Sequence, residues 1–124
     1  MVGEGDRMKE IKAYIRLIKA EDVIHALEKA GVPGFTAIEV KAIGSAVEPE
    51  RTKFSIEYAE KISPITKIEL VCKDEDVVRI VDIIKETAYT GHKGDGIIFV
   101  SDVNEAIKIR TGEKGSEALL PSPE

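Results

Sequence analysis

The spacing of apolar residues changes period several times along the chain. From Glu10 to Ile18 they alternate, with Ile11, Ala13, Ile15 and Leu17 set against Lys12, Tyr14 and Arg16, which predicts a half-buried strand. From Ala20 to Ala30 the period lengthens: Val23, Leu27 and Ala30 fall at i, i+4 and i+7, with Glu21, Asp22, Glu28 and Lys29 on the other side. That stripe predicts a surface helix, stopped by Gly31 and Pro33. Alternation returns from Phe35 to Ile43, where Thr36, Ile38, Val40 and Ala42 are assigned to the helix-facing side, and again from Ile65 to Cys72, where Ile68, Leu70 and Cys72 oppose Lys67, Glu69 and Val71. Asp74 is placed to cap a second helix running to about Ala88 along Val77, Ile80, Val81, Ile84 and Ala88. Ile97 to Val103, with its Ile-Ile-Phe-Val run, reads as a buried central strand.

The resulting βαββαβ order fits a ferredoxin-like α+β fold, an antiparallel sheet covered on one face by two helices. On this assignment Tyr14, Ile18, Ala37, Ile43 and Val71 fall on the uncovered face. A semi-apolar bare face predicts self-association into a closed homo-oligomer. Residues 45–64 between the second and third strands have no sustained period and form a loop of about twenty residues, longer than a compact domain ordinarily needs. The domain is placed at residues 8–112, preceded by a flexible lead (1–7) and followed by a flexible tail (113–124).

Composition narrows the function. A net charge of −5 removes the general attraction that nucleic-acid backbones and anionic membranes require. No apolar run approaches the roughly twenty residues that span a bilayer. One cysteine, Cys72, cannot form an internal disulfide, and no signal-peptide pattern is present, which predicts a cytoplasmic protein. His25, His92 and Cys72 have no metal-ligand spacing, and no nucleophile, P-loop or acid–base motif is found, so neither a catalytic nor a metal site is expected.

Two segments carry candidate chemistry. Thr90 to Gly96 (TGHKGDG) holds three glycines in seven residues, and Gly94-Asp95-Gly96 permits a turn whose backbone N–H groups approach a phosphate closely. An isolated GDG is more often an ordinary turn. Lys108 and Arg110 fall on one side of an extended KIR segment and can point at one anion.

MKEIKAYIR, the Gly44 to Pro64 loop, TGHKGDGIIFV and EAIKIRTGEKG together resemble the PII nitrogen-regulatory proteins over roughly Met8 to Leu119. The resemblance implies a homotrimer that binds adenine nucleotide (ADP, AMP or ATP) between subunits and docks a target protein through residues 45–64, with no resident cofactor. It implies nucleotide contacts at Thr36, Gly44, Glu69, Val71, His92, Lys93, Gly94, Asp95, Gly96 and Phe99, with Lys108 and Arg110 reaching a neighbouring subunit's phosphates. Phe54, Ile56 and Tyr58 are the apolar and aromatic docking candidates of the long loop.

The chain also departs from the family pattern. The family's G-x-G-R-Q run is Ala42-Ile43-Gly44-Ser45-Ala46 here, Ile65 replaces a lysine that binds 2-oxoglutarate, and Ile97 replaces a cation beside the phosphates, while Arg16 is retained. A charge-assisted hydrogen bond is worth about 1.5–3 kcal/mol, so the chain is expected to bind ADP or AMP at least as well as ATP, and 2-oxoglutarate poorly. Tyr58 lacks the Tyr-Arg-Gly-Ala run of the family's modified tyrosine. The target could belong to nitrogen metabolism or membrane transport. Alternatives are a divergent PII-like trimer regulating metal or inorganic-carbon transport, or an allosteric or structural module binding another small ligand.

Overall fold

The computed structural model describes residues 7–44 and 62–121. In chain order they form β1 (Met8–Arg16), α1 (Ala20–Lys29), β2 (Thr36–Ile43), β3 (Ile62–Lys73), α2 (Val77–Ala88) and β4 (Gly96–Val103). The sheet order is β2-β3-β1-β4 with every neighbouring pair antiparallel, which is the expected βαββαβ arrangement. Residues 1–6 of the lead, the docking candidates Phe54, Ile56 and Tyr58, and positions Ser45 and Ala46 lie outside the described residues.

Both helices pack on one face. Ile11, Ala13 and Ile15 of β1 and Ile68, Leu70 and Cys72 of β3 meet Val23 and Leu27 of α1 and Ile80, Ile84 and Ala88 of α2 in a single apolar cluster. Full burial of a Leu or Ile side chain stabilises by about 1.5–3 kcal/mol, so this cluster is the main source of stability. α1 carries Glu21 and Asp22 in its first turn and Lys29 in its last, matching the helix dipole. It ends in a Schellman turn: Val32 N–H donates to the Leu27 carbonyl at 3.1 Å and Gly31 N–H to that of Glu28 at 3.0 Å, with Gly31 at φ 84°. Arg79 of α2 donates to the Ala30 carbonyl at 3.0 Å, tying the two helices together there.

Several sequence expectations are corrected. β1 stops at Arg16, and Leu17–Lys19 form a 3-10 turn that redirects the chain into α1, leaving Leu17 exposed. Asp74 caps no helix through its side chain; Asp74–Asp76 form a 3-10 turn ahead of α2. β3 begins at Ile62, so the connection after β2 is shorter than expected. β4 is an edge strand, paired only with β1, and Ile97, Phe99 and Val100 are about half exposed in the single chain. A continuous apolar run signals that both faces need cover, but one chain covers only one of them. Within the segment expected to be a tail, Gly115–Leu119 form a 3-10 helix, and an isolated bridge joins Ile107 to Lys114.

The faces of β2 are inverted relative to the expectation. Thr36 pairs with Glu69, Ile38 with Lys67 and Val40 with Ile65, so Thr36, Ile38, Val40 and Ala42 share the open face with the polar positions of β3, and Ala37 and Ile43 fall on the helix side. Ile18 lies outside β1. The open face is therefore more apolar than predicted: it presents Tyr14, Ile38, Val40, Ala42, Ile65, Val71, Ile97 and Phe99, interleaved with Glu10, Lys12, Lys67 and Glu69.

Candidate functional site

The functional groups gather where β1 ends and β4 begins. Register places Arg16, the last residue of β1, on the open face opposite Ile65, yet it is only 6% exposed because loop residues Lys93 and Asp95 lie against its guanidinium. Nε donates to Asp95 Oδ1 at 2.9 Å and Nη2 to the Lys93 carbonyl at 2.7 Å. Asp95 also accepts the Thr90 N–H at 2.8 Å, the Gly91 N–H at 2.9 Å and the Thr90 hydroxyl, and that hydroxyl accepts the His92 N–H at 3.2 Å. Partial burial works to raise the Asp95 pKa. The hydrogen bonds from the Thr90 hydroxyl and amide, Arg16 and the Gly91 amide outweigh it and hold the carboxyl well below the ordinary carboxylate range.

Gly96 then lets β4 begin hard against β1. Its φ is +115°, and a Cβ there would lie 1.7 Å from the Tyr14 carbonyl oxygen. Only glycine permits that approach, so the glycine loop is locked to the sheet on one side by backbone contact and on the other by the Arg16–Asp95 pair.

Between this loop and β2 lies a concavity of 860 Å³, a size that suits a small-molecule ligand. Its floor is the open face, with Val40, Ile65, Ile97, Phe99 and Tyr14 apolar and Lys67 cationic; Gly44 at the end of β2 and His92, Gly94 and Asp95 of the loop complete it. The rings of Tyr14 and Phe99 meet edge to face, with centroids 6.0 Å apart at 81°. Lys67 is ion-paired to Glu69 at 2.7 Å, and the hydrogen bond from that pairing raises its pKa and lowers that of Glu69.

The expected residues divide into three groups. Gly44, His92, Gly94, Asp95, Gly96 and Phe99 converge on the concavity. Thr36, Glu69 and Val71 share its face but lie further along the strands, outside its lining, and Lys93 turns its carbonyl to Arg16. Lys108 and Arg110 do not form an extended pair. Lys108 N–H donates to the Glu113 carbonyl and Gly112 N–H to that of Lys108, both at 2.8 Å, so the chain reverses between them, with Gly112 at φ 75°. Lys108 Nζ donates to the Leu120 carbonyl at 2.6 Å and lies 3.8 Å from Glu113. An alternating KIR pattern is compatible with a strand, but the Thr-Gly after it dictates a turn.

Tyr14, Val40 and Lys67 were not anticipated as site residues. The parity of β1 already put Tyr14 beside Arg16, but Val40 could be placed only once the β2–β3 register was known. Burial pushes the Cys72 thiol up to about 11, so it carries no thiolate at neutral pH. Among the described residues no cluster of three or more His, Cys, Asp or Glu could hold a metal ion, and no helix is long and apolar enough to cross a membrane.

The model of the nitrogen regulatory protein P-II family matches residues 8–113. The chain belongs to that family. It is 46% identical over 112 residues to nitrogen regulatory protein P-II 2 of Methanothermobacter thermautotrophicus, covering 90% of this chain and 97% of the relative. It is 42% identical to nitrogen regulatory protein P-II of Bradyrhizobium diazoefficiens, covering 90% and 100%. Among solved structures it resembles Arabidopsis thaliana PII bound to citrate (TM-score 0.74, 32% identity, 91% of this chain and 92% of that one). It also resembles a B. subtilis GlnK–ATP complex (TM-score 0.75, 29% identity, 92% and 97%). Both share the PII fold, and the glycine loop, the Arg16–Asp95 pair and the concavity can be read as parts of a P-II protein.

Proposed function

We propose that this P-II protein is a cytoplasmic signalling regulator, without catalytic chemistry of its own, that binds an adenine nucleotide and controls a target protein through residues 45–64. The observation that carries this reading is the glycine loop: Thr90–Gly96 is folded against the sheet at the rim of a ligand-sized concavity. A structure similar to this chain is an ATP complex. The concavity opens beside the uncovered apolar face, so a homotrimer that buries that face would also complete the site, with Lys108 and Arg110 contributed by a neighbouring subunit. The target lies in nitrogen metabolism or membrane transport.

The ligand preference follows from the lining. Ile65 and Ile97 line the concavity without charge, and the side-chain cations that remain are Arg16, Lys41 and Lys67 among the described residues. A site so composed favours ADP or AMP at least as much as ATP, and holds 2-oxoglutarate poorly, because each missing charge-assisted contact removes about 1.5–3 kcal/mol. Calorimetry with ADP, AMP, ATP and 2-oxoglutarate tests it, with the mass in solution measured alongside by light scattering. Nucleotide binding to a trimer supports the reading; binding of none of these nucleotides overturns it, and tight 2-oxoglutarate binding overturns the preference.

A further inference from the structure

An arginine and an aspartate in an anion-binding site are ordinarily assigned as contacts to the ligand or its counter-ion. The geometry here points elsewhere: we infer that Arg16 and Asp95 are positioning residues, which hold loop 90–95 in the shape that places His92 and Gly94 at the concavity. Neither serves as a ligand contact. The inference rests on the nucleotide reading of the site.

Capacity decides the role of Asp95. An ionised carboxylate offers about four acceptor positions. Four donors fill them: the Thr90 amide, the Thr90 hydroxyl, the Gly91 amide and Arg16 Nε. The carboxylate is thus the hub around which the loop closes: it borders the concavity, but its acceptor positions are taken by the loop and by Arg16. Arg16 completes the arrangement from the sheet. Its planar fork spans two points of the loop at once, the carboxylate at 2.9 Å and the Lys93 carbonyl at 2.7 Å, and its side chain is 7% exposed. Its charge is matched by Asp95, and breaking so enclosed a pair to greet a phosphate would leave a carboxylate without its counter-charge. A loop already ordered before the ligand arrives avoids the ordering cost at the moment of binding, which is how residues that never touch a ligand strengthen its binding.

This assignment makes a prediction opposite in sign to direct electrostatics. Removing a negative charge from an anion site should tighten anion binding if Asp95 merely faced the ligand. If Asp95 is the hub, Asp95→Asn weakens ADP binding, because the amide cannot accept all four donors. The test is ADP affinity by calorimetry for the full chain and for Asp95→Asn, Arg16→Gln and Arg16→Lys, with amide hydrogen exchange of residues 90–94 as a readout independent of ligand. About a tenfold or greater loss of affinity is expected for Asp95→Asn and Arg16→Gln, as for other losses of charge-assisted hydrogen bonds, together with faster exchange at Gly91 and His92. Arg16→Lys keeps the charge without the fork and should fall between wild type and Arg16→Gln; it also serves should Arg16→Gln fail to fold. Val23→Ala, in the helix-facing core, lowers stability without touching the loop and should bind ADP as wild type does.

Unchanged or tighter ADP binding by Asp95→Asn overturns the inference while leaving the nucleotide reading standing, and so does a loss of affinity in Val23→Ala equal to that of the loop variants. A wild-type protein that binds no nucleotide overturns the reading itself.

Discussion

The two faces of the sheet are made from alternate residues of the same strands and have been put to different uses. On the helix side Ile11, Ala13, Ile15, Ile68 and Leu70 are at most 4% exposed and meet two helices. On the open side Tyr14 and Phe99 pair edge to face, Lys67 and Glu69 form an ion pair, and Ile97 and Phe99 remain about half exposed. The covered face is closed chemistry, with one thiol and one threonine hydroxyl buried in it. The open face mixes charge, aromatic edges and apolar area, a combination that costs stability in an isolated chain and serves recognition once a ligand or another subunit covers it. Stability and function are therefore separable by residue parity, which single substitutions can check.

The largest expected effect lies at the seam between the faces. Gly96→Ala places a methyl carbon against the Tyr14 carbonyl at a positive φ, where neither backbone can yield without breaking the β1–β4 pairing. A loss of about 4 kcal/mol or more is expected, in the range of the most damaging substitutions. Urea unfolding measures it; a midpoint within error of wild type would mean that the seam is not rigid. Next comes Leu27→Ala, from a site with no exposure. It should cost about 2–5 kcal/mol, as large-to-small core changes do, and leave ADP affinity at saturating folded protein unaltered. A parallel loss of affinity would break the division between the faces.

What could be read from the sequence follows the same division. The helix-side positions carried period-two and period-3.6 patterns that agreed with one another, and Ile68, Leu70, Cys72, Val23 and Leu27 fell where those patterns put them. The glycine loop was legible as a turn from its glycine density, and as a candidate site from the flanking residues that carry the family resemblance. Three features were not. β2 alternates apolar residues on both sides, so nothing local distinguished Ile38 and Val40 from Ala37 and Ile43, and only pairing with β3 settled the face. Lys108 and Arg110 obeyed a strand pattern too short to outweigh the turn after them. The hydrogen bonds of Asp95 were hidden as well, because a sequence shows a charge without showing which donors surround it, and here Thr90, Gly91 and Arg16 do.

A smaller effect, on the open face alone, is predicted for Ile97→Lys. Ile97 lines the concavity and is about half exposed, so a lysine there needs no burial of its ammonium group and can reach an anion. ATP should gain over ADP by about tenfold, the lower end of what one charge-assisted contact supplies, with the unfolding midpoint little changed. Calorimetric competition between the two nucleotides measures the ratio. An unaltered ratio would show that position 97 lies away from the terminal phosphate.

The smallest effect near neutrality, and the one that most sharply separates the faces, is the acid response of Asp95. Its carboxyl is held below the ordinary range in the folded protein despite the opposing pull of burial, so the folded state binds its proton less readily than the unfolded chain. The contribution to stability is then fully present above the unfolded carboxylate value of about 3.9 and is lost as pH falls through that value toward the depressed folded one. Between pH 7 and about pH 5 the wild-type midpoint should not move on this account. Below about pH 4 wild type should lose stability more steeply than Asp95→Asn, which has no proton to take up at this position. Loop 90–95 should open first, ahead of the helix-side core, because that core's apolar contacts do not titrate. Amide exchange at acid pH follows both regions in one experiment: early exposure of Gly91 and His92 with Ile11 and Ile68 still protected is expected, whereas simultaneous loss would show that the loop and the core unfold as one unit.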